Sequence, residues 1–262
     1  MLVIKADGRK EEFSEEKIIQ TCIRAGVSAD VAKSIAKKVK TTFPTGTTTH
    51  KIYSFVLDEL DRIGETGLFT LRESVASLDP TSFEIFVKKV LEAHGYKCVW
   101  NKLIQGRYVE HQVDVMAFKE KNFIVECKRH FNPHRFTGLG ICLQVDARLA
   151  DIRLGGNAGK NKYNIDAAWI VTNTKFSEHA KQYAKGTGIR LSGWRYEEQF
   201  SLEKLIQSKK VLPITVLKMD PSELRTFLRK NIITLDDLMR EKPKVPNIKE
   251  LLDQSKVLLA KL

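Results

Sequence analysis

Three charged residues near the middle of the chain, Asp114, Glu126 and Lys128, stand in two short stretches, HQVDV and FIVECK, that otherwise read as β-strands. Side chains on a strand alternate between its faces, so Ile124, Glu126 and Lys128 share one face while Val125 and Cys127 share the other. On the preceding strand Asp114 lies with Met116 and Phe118. Asp114 stands opposite Glu126 across an antiparallel hairpin only if the connecting loop holds an odd number of residues, and Lys119, Glu120 and Lys121 satisfy that parity. Two adjacent carboxylates repel, and a hard divalent cation such as Mg²⁺ between them resolves the conflict while lowering the pKa of a bound water. Lys128 beside them can orient that water or stabilise charge building on phosphorus. Those parts hydrolyse a phosphodiester. Alone, the pattern also fits a surface salt bridge between Lys128 and one acid, with the other solvated.

Such residues act only if surrounding elements hold them. Asp79-Pro80 is a helix start signal, and Phe83, Phe86, Val87, Val90 and Leu91 follow the spacing of an amphipathic helix that Gly95 ends. Strands are expected around Tyr96 to Trp100, Val113 to Phe118, Phe123 to Lys128 and Ala167 to Thr172, and helices at Gly140 to Leu154 and Ser177 to Gly186. Upstream, LVIK turns at Asp7-Gly8 and returns through RKEEF as a hairpin. Ser14 then caps a first helix, and further helices run from Ala29 to Lys40 and from His50 to Ile63, the last opened by Thr49. After Pro213 come SELRTFLRKNIITLDDLM and a last amphipathic helix from Ile248. This expected division is 1–78, 79–215 and 216–262.

Composition narrows the partners. A formal net charge of +12 attracts polyanions, nucleic acid foremost, although lysines on solvated helix faces also contribute to it. The N-terminal MLVIKADGRKEEF turns polar too soon for a signal peptide, and no apolar run is long enough for a bilayer, so a cytoplasmic protein without a membrane partner is expected. Cys22, Cys98, Cys127 and Cys142 form no C-x-x-C pair and read as reduced, structural residues. The run GGNAGKNK at 155–162 lacks P-loop spacing and reads as a flexible basic loop that touches phosphate at most.

Residues 79–215 resemble the PD-(D/E)XK nuclease superfamily, in particular its Mrr-type restriction endonuclease domain. DPTSFEIFVKKVLEAHGY, HQVDV, FIVECK and AAWIVTNTKFSEHAKQYAKGTGIRLSGW carry the likeness in order, with Val113 where the motif name has proline. The resemblance implies an α/β (overall α+β) fold, a restriction-endonuclease-like mixed central sheet flanked by helices, with a cleft for duplex DNA. It implies that Asp114 and Glu126 bind Mg²⁺ or Mn²⁺ with the carbonyl of Cys127, and that Lys128 assists the attacking water. Glu84 on the opening helix matches an acid that often completes the site, and is otherwise a solvated glutamate. Gln144 matches a helix position near the site, and is otherwise a polar surface residue. Arg129, His130, His134 and Arg135 are candidate phosphate contacts.

VIKADGRKEEFSEEKI is similar to the ATP-cone, a small hairpin-plus-helical-bundle domain that senses nucleotides. The resemblance implies contacts to ATP or dATP from Val3, Lys5, Glu11, Ser14, Lys17 and Thr49, with Ala6 where a basic residue is common. A structural cap is the alternative. Together these features describe a metal-dependent DNA endonuclease tuned by ATP or dATP, expected as a homodimer because cutting both strands needs two sites. The competing description is a nucleotide-responsive DNA-binding regulator on a non-catalytic nuclease fold.

Overall fold

The computed structural model describes residues 1–5, 8–63, 69–196 and 200–262. Two compact units emerge, residues 1–71 with 256–262, and residues 72–255. Residues 72–78, expected to close the first domain, and 216–255, expected within a third, group with the nuclease-like unit.

In the first unit β1 (Leu2–Ile4) pairs antiparallel with β2 (Lys10–Glu12) and parallel with β3 (Thr47–Thr48). The expected turn includes Ala6 and Asp7, which lie outside the described residues; Gly8 takes φ +83°, a conformation that costs glycine no Cβ clash. Helices α1 (Glu15–Arg24), α2 (Ala29–Thr42) and α3 (Thr49–Arg62) pack around Val3, Cys22, Ile35, Val39, Ile52 and Leu60. Ser14 caps α1 by accepting from the Lys17 N–H, as expected. The cap of α3 is Thr48, which accepts from the Lys51 N–H, and Thr49 is instead the first helical residue, because the two-residue β3 runs directly into the helix.

The second unit takes all but the first residue of α4 (Leu71–Ser77) and then α5 (Pro80–Ala93), the latter capped by Asp79 through the Ser82 N–H with Pro80 in its first turn. Phe83, Phe86, Val87, Val90 and Leu91 are essentially inaccessible, each burial contributing roughly 1.5–3 kcal/mol. A meander follows, β4 (Lys97–Gln105), β5 (Glu110–Phe118) and β6 (Asn122–Lys128). The remaining elements are β7 (Phe136–Thr137), α6 (Leu139–Asn157), β8 (Ala167–Thr172), β9 (Lys175–Phe176), α7 (Glu178–Thr187), β10 (Arg190–Ser192), α8 (Leu202–Ser208), a 3₁₀ turn (Ile214–Val216), α9 (Pro221–Arg229), α10 (Leu235–Glu241) and α11 (Ile248–Ala260).

The central sheet has strand order β10-β8-β6-β5-β4. Its β4–β5–β6 half is antiparallel and its β6–β8–β10 half parallel, the mixed sheet that the sequence implied. Met116, Ile124 and Ile170 pack with Cys142, Val145 and Leu149 of α6 and Ala180 of α7, while α5 lies against β4, β5 and β6. β4 runs five residues beyond Trp100, where exposed Lys102 and Leu103 hid the strand pattern. The glycine run is also not a free loop. Gly155 and Gly156 belong to α6, and Gly155 lies so close to the main chain of Gly106 that a Cβ would come within 2.6 Å of it. No helix among the described residues is long and apolar enough to cross a membrane.

Candidate active site

The β5–β6 register pairs Val115 with Val125 and Met116 with Ile124, and one further step sets Asp114 opposite Glu126. Asp114 Oδ2 accepts from the Cys127 N–H at 2.8 Å. Burial pushes the Asp114 carboxyl up to about 7, with the charges of Glu126 and Glu84 adding to the shift and the Cys127 N–H and Arg148 opposing it. Glu84 of α5, half-buried, accepts from Trp100 Nε1 of β4 at 2.9 Å. Its carboxyl is also raised, first by burial and then by Glu126 and Asp79, against the Trp100 hydrogen bond. Three acids from three elements therefore share one electrostatic environment.

Sequence reasoning missed the residue that balances them. Arg148 of α6 forms an ion pair with Glu126 through Nη1. The available signal was its spacing four residues after Gln144, which puts both on one stripe of the helix. Gln144 is exposed, one turn before Arg148. Because Arg148 takes Glu126, the simple Lys128 salt bridge does not form. Lys128 is exposed, and no carboxylate among the described residues pairs with its ammonium.

The strand end that presents Lys128 is fixed from below. Its carbonyl accepts from Thr172 Oγ1 at 2.6 Å. The hydroxyls of Thr137, Thr172 and Thr174 interlock at 2.7–3.1 Å, and His130 Nε2 lies 3.1 Å from Thr137 Oγ1. Burial, then Lys128, Arg135 and Arg129, lower the pKa of His130. His130 and Arg129, both half-buried, brace this strand end: Arg129 Nη1 donates to the Ala76 carbonyl at 2.8 Å. His134 lies 4.0 Å from Glu73, and Arg135 is exposed.

Among the described residues no three His, Cys, Asp or Glu side chains form a ready cage for a metal ion. The donors expected here are two carboxylates and a main-chain carbonyl, all hard oxygens, with the half-buried Asp114 raised by burial and its acidic neighbours. That set fits Mg²⁺ or Mn²⁺, which commonly take one or two carboxylates and leave positions for water and phosphate. The Cys127 thiol is pushed far up by burial and the neighbouring acids, so it stays protonated and offers no soft ligand.

In the first unit Glu11 draws Lys5 and Lys17 together: Lys5 Nζ is 3.3 Å from Glu11 Oε2, and Lys17 pairs with Oε1. Hydrogen bonds from Lys17 and then Lys5 hold the Glu11 carboxyl below the usual range. Ser14 joins through the Lys17 N–H, and Thr49 follows the Ile4–Thr48 pair by register. Val3 is buried in the core, so only its main chain is available to a ligand.

Residues 75–193 match the Mrr catalytic family, described as restriction endonuclease, and residues 1–71 match the ATP cone domain. An uncharacterized protein from Archaeoglobus fulgidus is 37% identical over 152 residues, which cover 58% of this chain and 82% of that protein. A second uncharacterized protein from the same organism is 48% identical over 44 residues, 17% of this chain and 94% of its own. The crystal structure of a protein of unknown function aligns with a TM-score of 0.59 and 32% identity, over 70% of this chain and 100% of that one.

Proposed function

The chain belongs to the Mrr-type restriction endonuclease family and carries an ATP cone ahead of its nuclease domain, and from that premise we propose that it is a divalent-metal-dependent DNA endonuclease whose output responds to ATP or dATP. The observation that carries this reading is the convergence of Asp114, Glu126 and Glu84, with the Asp114 carboxyl raised to about 7, next to Lys128, which no acid among the described residues neutralises.

Asp114, Glu126 and the Cys127 carbonyl would hold Mg²⁺ or Mn²⁺, which would neutralise the acids and polarise the scissile phosphate. Lys128, exposed on a braced strand end and on the same face as Glu126, stabilises charge on the phosphorus or orients the attacking water. Glu84 completes the acidic wall, and Gln144 stands one helical turn from Arg148 to meet substrate. Arg148 holds Glu126 in place and limits repulsion among the acids.

Lys5, Glu11, Ser14, Lys17, Thr49 and the main chain of Val3 form the nucleotide site, with lysines as point charges for phosphate and the α1 start as an anion-binding end. A homodimer would supply the two sites that duplex cleavage requires. The test is incubation of purified protein with plasmid and branched DNA, with Mg²⁺ or Mn²⁺ and with or without nucleotide. Loss of cutting in Asp114→Asn and Lys128→Ala supports the assignment, and cutting that survives both refutes it.

A further inference from the structure

The turn between β4 and β5, Gly106 to Val109, is an unusual piece of surface. Tyr108 is 78% and Val109 56% exposed, yet the main chain beneath them is tightly held. Asp151 of α6 accepts from the N–H groups of Tyr108 at 3.1 Å and Val109 at 3.4 Å, and its Oδ2 lies 2.8 Å from His111 Nε2. The Arg107 N–H donates to the Asp151 carbonyl at 3.0 Å, and Lys160 Nζ donates to the Arg107 carbonyl at 2.8 Å. Asn161 Nδ2 adds a bond to the Gln105 carbonyl at 2.7 Å. Two glycines make this possible: a Cβ on Gly106 would meet Asp151 Oδ2 at 2.0 Å, and one on Gly155 would strike Gly106. The glycine-rich end of α6 is thus the seat of the hairpin tip.

An aromatic and a β-branched side chain held out to solvent on a rigid base gain nothing for the fold. Their surroundings indicate an anion. Arg107 and Lys160 are exposed at the tip, Lys102 on β4 and Lys162 just beyond Lys160 are exposed as well, and Glu110 is an exposed acid beside them. No carboxylate among the described residues pairs with Arg107 or Lys162. The tip is also coupled to the acidic cluster, because Asp151 follows Arg148, the partner of Glu126, by one helical turn. Tyr108 is six residues from Asp114 along the hairpin, roughly 20 Å at strand rise, or about six base pairs of duplex.

We propose that this tip is a second contact for duplex DNA, in which Arg107, Lys160, Lys102 and Lys162 meet phosphates while Tyr108 and Val109 enter a groove about six base pairs from the phosphate at Asp114 and Glu126. The position of the cut relative to the tip rests on the nuclease reading above, whereas binding at the tip does not. The contact makes the substrate a duplex with an arm that spans both places, since a single strand offers no groove for the tip.

Binding in the presence of EDTA, where cleavage is blocked, tests it. The full-length protein is titrated by fluorescence anisotropy against duplex and single-stranded DNA of one sequence over a range of salt. The duplex is expected to bind at least tenfold tighter, and the Arg107→Ala, Lys160→Ala double variant to lose about two from the salt slope. Tyr108→Ala, at an exposed position that does not endanger folding, is expected to weaken duplex binding several-fold. Duplex affinity and salt slope unchanged in both variants overturn the proposal, as does a wild-type protein that binds no duplex. Tip-dependent binding without cleavage under any metal supports it while removing the nuclease reading.

Discussion

At the residue scale, Asp114 is the most informative group. Its carboxyl titrates near 3.8 when free and at about 7 in the fold, so between those values the folded protein keeps a proton that the unfolded chain releases. The metal-free protein therefore loses stability as pH rises through that window, and the deficit is constant above it. Asp114→Asn removes the deficit: thermal unfolding in chelator is expected to show it more stable than wild type above pH 7 and indistinguishable near pH 3.5. A bound divalent cation requires the ionised acid, so its affinity is expected to rise up to tenfold per pH unit until about pH 7 and then level, as calorimetry can show. Arg148→Ala leaves Glu126 without its partner. Lower stability in chelator and a larger stabilisation by Mn²⁺ than wild type shows are expected, read as the shift in Tm. The pairing of Asp114 with Glu126 was legible from alternation and loop parity alone. Arg148 was not, because a cation on an amphipathic helix looks the same whether it meets solvent or an acid on a neighbouring strand.

At the scale of elements, periodic signals transferred well and edges did not. Asp79-Pro80 and the apolar stripe of α5 gave that helix almost to the residue, and Ala167–Thr172 was found in full, since a buried parallel strand reads as a continuous apolar run. The outer half of β4 was missed because its side chains face solvent, and GGNAGKNK was misjudged because glycine chosen for close packing looks like glycine chosen for flexibility. Past Pro213, NIITLDDL forms a capping box in which the Thr234 side chain takes the Asp237 N–H and the Asp237 carboxylate takes the N–H groups of Thr234 and Ile233. Asp237, 2% exposed, also bonds Lys89 of α5 at 2.8 Å. Burial alone would raise its carboxyl, but Lys89 and the two N–H groups together hold it below the usual range. That stabilisation is present above the ordinary aspartate pKa and lost as pH falls through the lowered one. Asp237→Ala is expected to cost about 2–3 kcal/mol in urea unfolding at neutral pH, and less in strong acid.

For the whole molecule, a net charge of +12 favours anionic partners, and the two family matches set an ATP cone domain ahead of a restriction-endonuclease-type domain. Lys5, Glu11 and Lys17 form one ion-paired cluster, so on the proposed reading a triphosphate would compete with the Glu11 carboxylate for both lysines. Calorimetric titration is expected to show binding of ATP or dATP that Lys17→Ala weakens about tenfold or more; heat equal to dilution for both nucleotides contradicts the regulatory part of the account. The central claim is hydrolysis at Asp114, Glu126 and Lys128. Its most direct measurement is the cleavage rate of purified protein on a panel of DNA structures with Mn²⁺ or Mg²⁺, compared with Asp114→Asn and Lys128→Ala. Metal-dependent cutting is expected, abolished in Asp114→Asn and slowed about 10²–10³-fold in Lys128→Ala. Cutting at the wild-type rate by both variants would contradict that claim.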